Sequence, residues 1–394
     1  MKSYSLTKNA LYLFAATLTM EELVIGGVSV PKIAGILVMA FALFEFRQSF
    51  KRTHSGIILL ISVYLFIALL SLIWSYDVDD GIVRFLTYFQ IFILGIIMIN
   101  QFNSEEDIIR FFIFFAIGCF LAALDIIYNY HHGIFYSGVE AYEDADRYSA
   151  FGVDPNETGL LLVIGITFLL HYFEKLKKIG IVLIAAVIFV IVYGTFLTAS
   201  RTAFALLVFS FAGFFFKKGR KLSTYISVVL VLGLIVGLMF YFNLIPMLTL
   251  QRLLSTRESV ATGDFSGRES AWKNLFLIFL DHSLLGVGLG GSSAALKVYH
   301  FFVISSHNTY VNVLAQVGVI GFLPFIFICF RSFKEYYSLR NTYRWLFVSY
   351  MLMLIGIFTL TYDQKKMIWV FFFIAAIFET KKDIILTNEN NTDS

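Results

Sequence analysis

Charged residues and cysteines are scarce in this sequence, and their scarcity excludes whole classes of protein. Of its 394 residues, 14% are Asp, Glu, Lys or Arg, 59% are hydrophobic, and the mean hydropathy is +0.80. About one quarter of the residues of a soluble domain are charged, so the chain is not a soluble domain. The two cysteines, Cys119 and Cys329, lie inside apolar runs, which argues against a disulfide framework and a cysteine-based metal site.

The balance of charge excludes a nucleic-acid partner. The formal net charge is only +3, and the basic residues stand in short clusters between apolar runs instead of along one face. Such clusters are topology signals in membrane proteins. His131 and His132 precede several acidic residues, but their spacing fits no recognised zinc pattern. We therefore expect no nucleic acid, no metal and no cofactor.

The sequence is rich in apolar runs that are long enough to cross a bilayer. A spanning helix needs roughly 20 apolar residues. We predict an all-α polytopic membrane protein with about twelve transmembrane helices, in which residues 1–394 form a single integral membrane domain. The positive-inside rule places both termini in the cytoplasm. Lys365 and Lys366 are exceptions, because they fall outside, between the last predicted spans, Trp345 to Leu360 and Met367 to Phe378.

Two long polar breaks are predicted to face outward. The longer one, residues 243–307, forms a large external loop between the ninth and tenth spans. The other, residues 130–157, closes with Asp154 as a helix cap and Pro155 at the first helical position. A polar turn at residues 198–202 has to face outward as well, because basic clusters flank the two spans that it joins. The outer side then carries a group of arginines, namely Arg147, Arg201, Arg252, Arg257 and Arg268.

This group of arginines predicts an anionic ligand. Guanidinium makes bidentate contacts with phosphate and stays charged at any relevant pH. Arg268 stands out, because Ser266 and Glu269 fit a capping box that starts a helix there, and a helix N-terminus favours an anion. The alternatives are contacts with lipid headgroups, a salt bridge with Glu258 or Glu269, and an ordinary interfacial helix.

His307 is the candidate base of this outer region. It lies at the start of the predicted tenth span, where nearby arginines favour its neutral form. A neutral imidazole can accept a proton from a hydroxyl at physiological pH. Asn308 and Tyr310 beside it carry hydrogen-bonding groups suited to a sugar. The alternative is a histidine that only caps the helix or lies at the membrane interface.

Four short motifs in this order resemble those of the bacterial O-antigen ligase and polysaccharide polymerase superfamily. The resemblance covers mainly residues 147–321. One departure is Ser283, where the family usually has proline. The motifs are Arg147 to Gly152 with Pro155 and Asn156; Leu197 to Arg201; Gly267 and Arg268 with Trp272, followed by Leu284 to Gly288; and Ser306 to Tyr310 with Gly318 and Gly321.

The resemblance implies a metal-independent glycosyltransferase of the C-type membrane architecture. Its donor would be a sugar chain on undecaprenyl diphosphate. Arg201 and Arg268 match the family arginines that hold the diphosphate, and Arg147 is predicted to join them. His307 matches the family's proposed catalytic base, which would deprotonate the acceptor hydroxyl for an inverting attack on the anomeric carbon.

The leading prediction is a polysaccharide repeat-unit polymerase at the outer face of the cytoplasmic membrane, for capsule, exopolysaccharide or O-antigen synthesis. An O-antigen ligase uses the same donor but a different glycolipid or wall acceptor. Polymerase is preferred because the Ile-, Phe- and Lys-rich composition favours a low-GC bacterium without an outer membrane. Partner proteins would be a flippase and a chain-length regulator. A third hypothesis, an exporter of lipid-linked sugars, predicts charged residues deep within several spans, whereas the predicted spans are almost free of charge.

Overall fold

The computed structural model describes residues 5–51, 54–137, 147–173, 178–215, 268–301 and 306–390, together with single helical positions between residues 226 and 252. Helices account for most of this part of the chain. The strands found in it are β1 (Val24–Ile25) and β2 (Val28–Ser29), which pair antiparallel as a short hairpin.

The helices follow one another along the described segments. The first group comprises α1 (Leu6–Thr17), α2 (Val30–Phe44), α3 (Phe46–Ser49), α4 (Gly56–Leu70) with a 3₁₀ turn after it (Ser71–Trp74), α5 (Val78–Gln101), α6 (Glu105–His131), α7 (Pro155–Phe173), α8 (Lys178–Leu197) and α9 (Arg201–Phe215). The second group comprises α10 (Arg268–Asp281), α11 (Ser292–Val298), α12 (Thr309–Ser338), α13 (Arg344–Gly356) and α14 (Lys366–Asn390).

Several of these helices are long and apolar enough to cross a membrane. By length and composition, 5 such helices occur among the described residues, and α2, α9 and α13 are shorter apolar helices. The prediction of an all-α membrane protein is confirmed, and the number of spans stays a prediction. The qualifying helices are Gly56–Trp74, Val78–Gln101, Glu105–His131, Ile179–Leu197 and Thr309–Ser338.

Local hydrogen bonds explain where the helices begin. In α6, Ser104 and Asp107 form a capping box, each side chain accepting from the other residue's backbone N–H. At α7, Oδ1 of Asp154 accepts from the N–H groups of Asn156 at 2.8 Å and Glu157 at 3.1 Å. The helix start predicted there is confirmed. The capping box predicted before α10 depends on a residue outside the described part of the chain.

One end of the bundle gathers basic residues that the charge pattern predicts to be cytoplasmic, and we call it the basic end. Lys8 on α1 pairs with Asp107 on α6 at 3.0 Å. Arg331 on α12 pairs with Glu379 on α14 at 2.7 Å. Lys381 donates to the carbonyl oxygen of Phe102 at 3.0 Å. These contacts bring to one end residues that the prediction places on one side of the membrane.

Helix α12 is broken at Gly318, and the chain after α10 packs into the break. The φ of Gly318 is +60°, and a Cβ there would lie 2.3 Å from the carbonyl oxygen of Leu284, so only glycine fits. Beyond the break, Val319 N–H donates to the carbonyl oxygen of Ser283 at 2.9 Å. The residue at position 283 therefore supplies a backbone acceptor here, which serine and proline both possess.

Between α13 and α14 runs a largely buried non-helical stretch, residues 357–365, called here the 357–365 connection. Helix α13 ends at Gly356, so the predicted end of this span at Leu360 is wrong. The cause is Thr309: its N–H donates to the Ile357 carbonyl at 3.0 Å, and its Oγ1 donates to the Leu360 carbonyl at 2.7 Å. Tyr362 and Asp363 of this connection are buried, whereas Phe358 is exposed.

Candidate functional site

Arg147 is buried in a cradle of polar groups from two other segments. Only 5% of the residue is exposed. Its Nε donates to the carbonyl oxygen of Thr198 at 3.1 Å, and its Nη2 donates to Oδ1 of Asn156 at 2.9 Å. Ser200 Oγ donates to the same Asn156 oxygen at 2.9 Å. The guanidinium therefore joins the loop after α6, the start of α7 and the turn before α9.

The turn before α9 places Arg201 at the first position of that helix. Ser200, which is fully buried, accepts from the N–H of Ala203 at 3.2 Å and so caps the helix. Ala199 has a φ of +50° and lets the chain reverse between α8 and α9. A Cβ on Gly159 of α7 would lie 2.5 Å from the Cβ of Ala203, so the two helices pack closely here.

Arg201 lies close enough to Arg147 to act on its charge. Burial lowers the pKa of Arg147, Asp154 acts to raise it, and Arg201 lowers it further. An arginine nevertheless stays protonated in a protein. Two like charges held together in this way are stabilised by an anion between them. The structure therefore brings together two of the arginines predicted to hold a diphosphate.

His307 lies in a short non-helical segment that two side chains hold in place. Its φ of +42° is left-handed, an uncommon conformation for a residue with a side chain. Just before it, the carbonyl oxygen of Ser306 accepts from Trp272 Nε1 at 2.8 Å. The hydroxyl of Ser306 is 2.7 Å from the hydroxyl of Thr361 in the 357–365 connection. His307 is thus held between α10 and that connection.

Arg268 reaches the same region through α10. It is the first residue of this helix and stands four residues before Trp272, so the two side chains share a helix face. Because Trp272 bonds to Ser306, this face is turned toward the segment that carries His307. The fold thus places the helix start at Arg268 near the segment that carries His307.

The arginine pair and His307 are connected through α7 and α13. Leu160 of α7 packs against Gly356 at the end of α13, where a Cβ would lie 2.7 Å from the leucine side chain. The next residue, Ile357, accepts from the N–H of Thr309 at 3.0 Å. His307 lies two residues before Thr309 in the chain. These groups therefore share one end of the bundle, which we call the Arg147 end.

Asn308 and Tyr310 hold the backbone in place. Asn308 is 1% exposed, and its side chain caps α12 by accepting from the N–H of Val311 at 3.1 Å. Tyr310 points into the bundle and donates to the carbonyl oxygen of Leu354 at 3.0 Å. The side-chain oxygen of Asn308 and the hydroxyl of Tyr310 are thus bonded to the protein backbone. Their predicted part in sugar binding stays a prediction.

Sequence reasoning missed the 357–365 connection as part of this site. The sequence pattern assigns Asp363 no role, yet it is buried and accepts from Tyr88 at 2.7 Å and from Asn312 at 3.1 Å. Lys365 lies 3.0 Å from Glu157 at the start of α7. The available signal was the exception to the positive-inside rule at Lys365 and Lys366.

Ion pairs account for that exception. Burial alone would lower the pKa of Lys365, but the carboxylates of Glu157, Glu21 and Glu22 outweigh it and raise the pKa. Lys366 lies 3.1 Å from Glu21. Both lysines therefore have acidic partners from other segments. In the segments that the structure describes, no group of three or more His, Cys, Asp or Glu side chains could hold a metal ion.

A large part of this site lies in a stretch of chain that matches a known family. Residues 186–326 match the O-antigen ligase family. The match confirms the predicted resemblance to the O-antigen ligase and polysaccharide polymerase superfamily. It is consistent with an enzyme of the membrane glycosyltransferase type. A search of curated proteins found no match.

The O-antigen ligase match covers only part of the candidate site. Arg147 lies outside residues 186–326 and joins the site through its bonds to Asn156 and to the turn before α9. The candidate site is thus wider than the matched O-antigen ligase region. The other predicted site residues, all inside the match, are Arg201, Arg268, His307, Asn308 and Tyr310.

Proposed function

We propose that the protein is a polysaccharide repeat-unit polymerase, a membrane glycosyltransferase that joins undecaprenyl-diphosphate-linked oligosaccharides. The observation that carries this proposal is the convergence of Arg147, Arg201 and His307 at one end of the bundle, with the latter two inside the O-antigen ligase match. Arginines at the same end of the bundle as a candidate base suit a reaction whose leaving group is an anion.

The proposed reaction is an inverting displacement. Arg147, Arg201 and Arg268 bind the diphosphate of the donor and orient its anomeric carbon. Nε2 or Nδ1 of His307 accepts the proton of an acceptor hydroxyl, and the hydroxyl oxygen attacks the anomeric carbon from the opposite side. The bond between that carbon and the diphosphate oxygen breaks, and undecaprenyl diphosphate leaves with the electron pair. The arginines offset the negative charge of this leaving group.

The membrane orientation completes the proposal. We place the Arg147 end at the outer face of the cytoplasmic membrane and the basic end, with both termini, in the cytoplasm. About twelve spans then cross the bilayer, and residues 243–307 form the large external loop, part of which lies outside the described residues. A flippase that delivers the lipid-linked repeat and a chain-length regulator are the proposed partners.

Transfer by the purified protein tests the proposal. The substrate is the lipid-diphosphate-linked repeat unit isolated from the producing cells, supplied in detergent without ATP or metal. We expect lipid-linked products two and more repeats long. His307→Ala should reduce their formation at least about a hundredfold, the size expected for loss of a general base. His54→Ala, an exposed histidine before α4, is the matched control and should transfer normally.

The competing hypotheses predict different products in this assay. A ligase leaves the lipid-linked repeats uncoupled and transfers the glycan only when a distinct glycolipid or wall acceptor is added. An exporter forms no glycosidic bond and moves the lipid-linked sugar across proteoliposomes. Normal coupling by His307→Ala would contradict the assignment of His307 as the base.

A further inference from the structure

A second polar cluster adjoins the arginine cradle at the Arg147 end. At its centre, Nζ of Lys365 lies 3.0 Å from Oε2 of Glu157, 3.2 Å from Oε1 of Glu22 and 3.6 Å from Oε2 of Glu21. Lys366 lies 3.1 Å from Oε1 of Glu21. These five residues come from three separate elements: the segment after α1, the start of α7 and the 357–365 connection with the first residue of α14. We call them the acidic cluster.

The acidic cluster has a surplus of hydrogen-bond acceptors. Lys365 pairs with Glu157 at 3.0 Å and Glu22 at 3.2 Å, and the carboxylate of Glu21 lies 3.6 Å away. Lys366 is engaged by Glu21 through both its backbone N–H and its side chain. Three carboxylates thus face two ammonium groups. A phosphate needs donors and would be repelled here, whereas a ligand that carries hydroxyl or N–H groups would be bound.

Glu157 holds an acceptor that no described residue uses. The residue is 5% exposed, and its Oε2 pairs with Lys365. Its Oε1 is buried and has no hydrogen-bond partner among the described residues. A buried carboxylate oxygen without a donor is costly, by about 1–3 kcal/mol or more. Such an atom is expected where a bound molecule supplies the missing donor.

The acidic cluster borders the proposed reaction centre on two sides. Glu157 directly follows Asn156, which holds Arg147 in the cradle. A Cβ on Gly152, in the segment after Arg147, would lie 3.8 Å from Cβ of Glu22. The 357–365 connection carries both Lys365 and Thr361, and the latter bonds to the residue before His307. A ligand whose reacting atoms lie between the arginines and His307 therefore extends toward Glu157.

The acidic cluster is open to the outside of the protein on one side. The side chain of Glu22 is 54% exposed and that of Lys365 is 20% exposed. Glu21, in contrast, is 9% exposed and both of its oxygens contact lysines. The cluster therefore has an open side at Glu22 and a closed, structural side at Glu21.

We propose that Glu157 forms a sugar-binding subsite, in which Oε1 accepts a hydrogen bond from a hydroxyl or N–H group of a sugar near the reacting bond. The proposal rests on the function proposed above. The ligand is a neutral, hydroxyl-rich sugar unit, and it belongs either to the donor or to the acceptor. The arginine cradle binds the phosphates, and Glu157 contacts the carbohydrate.

Glu157→Gln tests this role with little change in shape. Next to Lys365 the amide turns its oxygen toward the ammonium group, so its NH₂ occupies the position of Oε1. An acceptor becomes a donor at the one position where the sugar is expected. Glu157→Asp is the second variant, because it keeps the charge but withdraws the oxygens by one methylene group.

The kinetic experiment varies the two sugars separately. The donor is the lipid-diphosphate-linked repeat unit from the producing cells. The acceptor is the same oligosaccharide released as its methyl glycoside, which lacks a diphosphate and can only accept. We expect both variants of Glu157 to raise one KM about tenfold or more, the value of a hydrogen bond to a charged acceptor. A rise for the glycoside assigns the subsite to the acceptor, and a rise for the lipid-linked substrate assigns it to the donor.

Glu21→Gln is the matched control. Both oxygens of Glu21 are occupied by lysines, so this variant should lower the melting temperature and leave both KM values within about twofold. If Glu157→Gln and Glu157→Asp behave like Glu21→Gln, the cluster only fastens the 357–365 connection and the subsite does not exist.

A binding measurement separates this proposal from the proposed function. Titration of the wild-type protein with the methyl glycoside requires no reaction. If the wild-type protein forms no glycosidic bond but binds the glycoside, and Glu157→Gln weakens that binding tenfold, the subsite stands and the polymerase proposal fails. Equal binding of the glycoside by the wild-type protein and Glu157→Gln excludes the acceptor side, and an unchanged KM for the lipid-linked substrate then overturns the subsite.

Discussion

Replacement of Arg147 by lysine keeps the charge at the centre of the cradle and removes only its geometry. Two different guanidinium nitrogens serve two acceptors, the Thr198 carbonyl and Asn156 Oδ1, at 3.1 and 2.9 Å. The single ammonium group of lysine has no planar fork. Because the lysine side chain is also shorter, its ammonium group can reach one of these acceptors but not both.

The expected loss follows from the bond that lysine cannot make. A hydrogen bond from a charged donor contributes about 1.5–3 kcal/mol, and at 5% exposure water does not replace it. We therefore expect Arg147→Lys to lose about 1.5–3 kcal/mol of stability. Because the cradle sets the turn that carries Arg201, transfer should fall about tenfold or more, as misplacement of a binding group by 1 Å commonly does.

Two measurements on detergent-purified protein examine this expectation. The first is the melting temperature, and the second is the rate of coupling of lipid-linked repeats. Arg110→Lys is the matched control, because Arg110 pairs with Glu106 on the exposed surface of α6, where such a pair contributes little. If Arg147→Lys has the melting temperature and coupling rate of the wild type, the two-acceptor fork is not what positions Arg201.

Two further predictions concern the contacts around His307 and the acidic cluster. Trp272→Phe removes the hydrogen bond from Nε1 to the Ser306 carbonyl, so the coupling rate should fall severalfold. Trp74→Phe loses a similar bond to the carbonyl oxygen of Leu285 and should couple normally. Equal coupling rates for the two variants would contradict the positioning of His307 by Trp272. Lys365→Met leaves the buried carboxylate of Glu157 without its counter-ion and should destabilise the protein by about 3–5 kcal/mol. Adding Glu157→Gln should recover part of the lost melting temperature, and no recovery would argue against the pair.

The sequence was sufficient wherever the deciding interactions are local. Hydropathy depends on composition within one helix length, and it led to the all-α membrane class. The cap at Asp154 involves residues two and three positions away, so the start of α7 could be read directly. The order of the short motifs led to the O-antigen ligase and polymerase superfamily, which the match over residues 186–326 supports.

The limits of helix α13 were a matter of tertiary contacts. Hydropathy extends this span to Leu360, because the residues up to that point are apolar. The helix ends at Gly356 because Thr309 of another helix takes up the carbonyl groups of Ile357 and Leu360. No local pattern announces a bond between positions so far apart.

The sequence likewise identified some residues of the candidate site and missed others. Arg147, Arg201, Arg268 and His307 could be selected from sequence, because their residue types and motifs indicate an anion and a base. Their convergence depends on the packing of α7 against α9 and α13. Sequence reasoning passed over Glu157, since a carboxylate at a helix start is explained by the helix dipole alone.

The sequence by itself determined that the protein lies in a membrane, that it is helical and which residue types could carry chemistry, because each of these properties depends on neighbouring residues. The tertiary structure alone decided that Lys365 meets Glu157, Glu21 and Glu22 and that one oxygen of Glu157 is left without a partner among the described residues. The physical reason is the low dielectric of a buried site, where an unpaired charge or acceptor is costly. Which distant residues pair with a buried charge or acceptor is decided only when the helices pack.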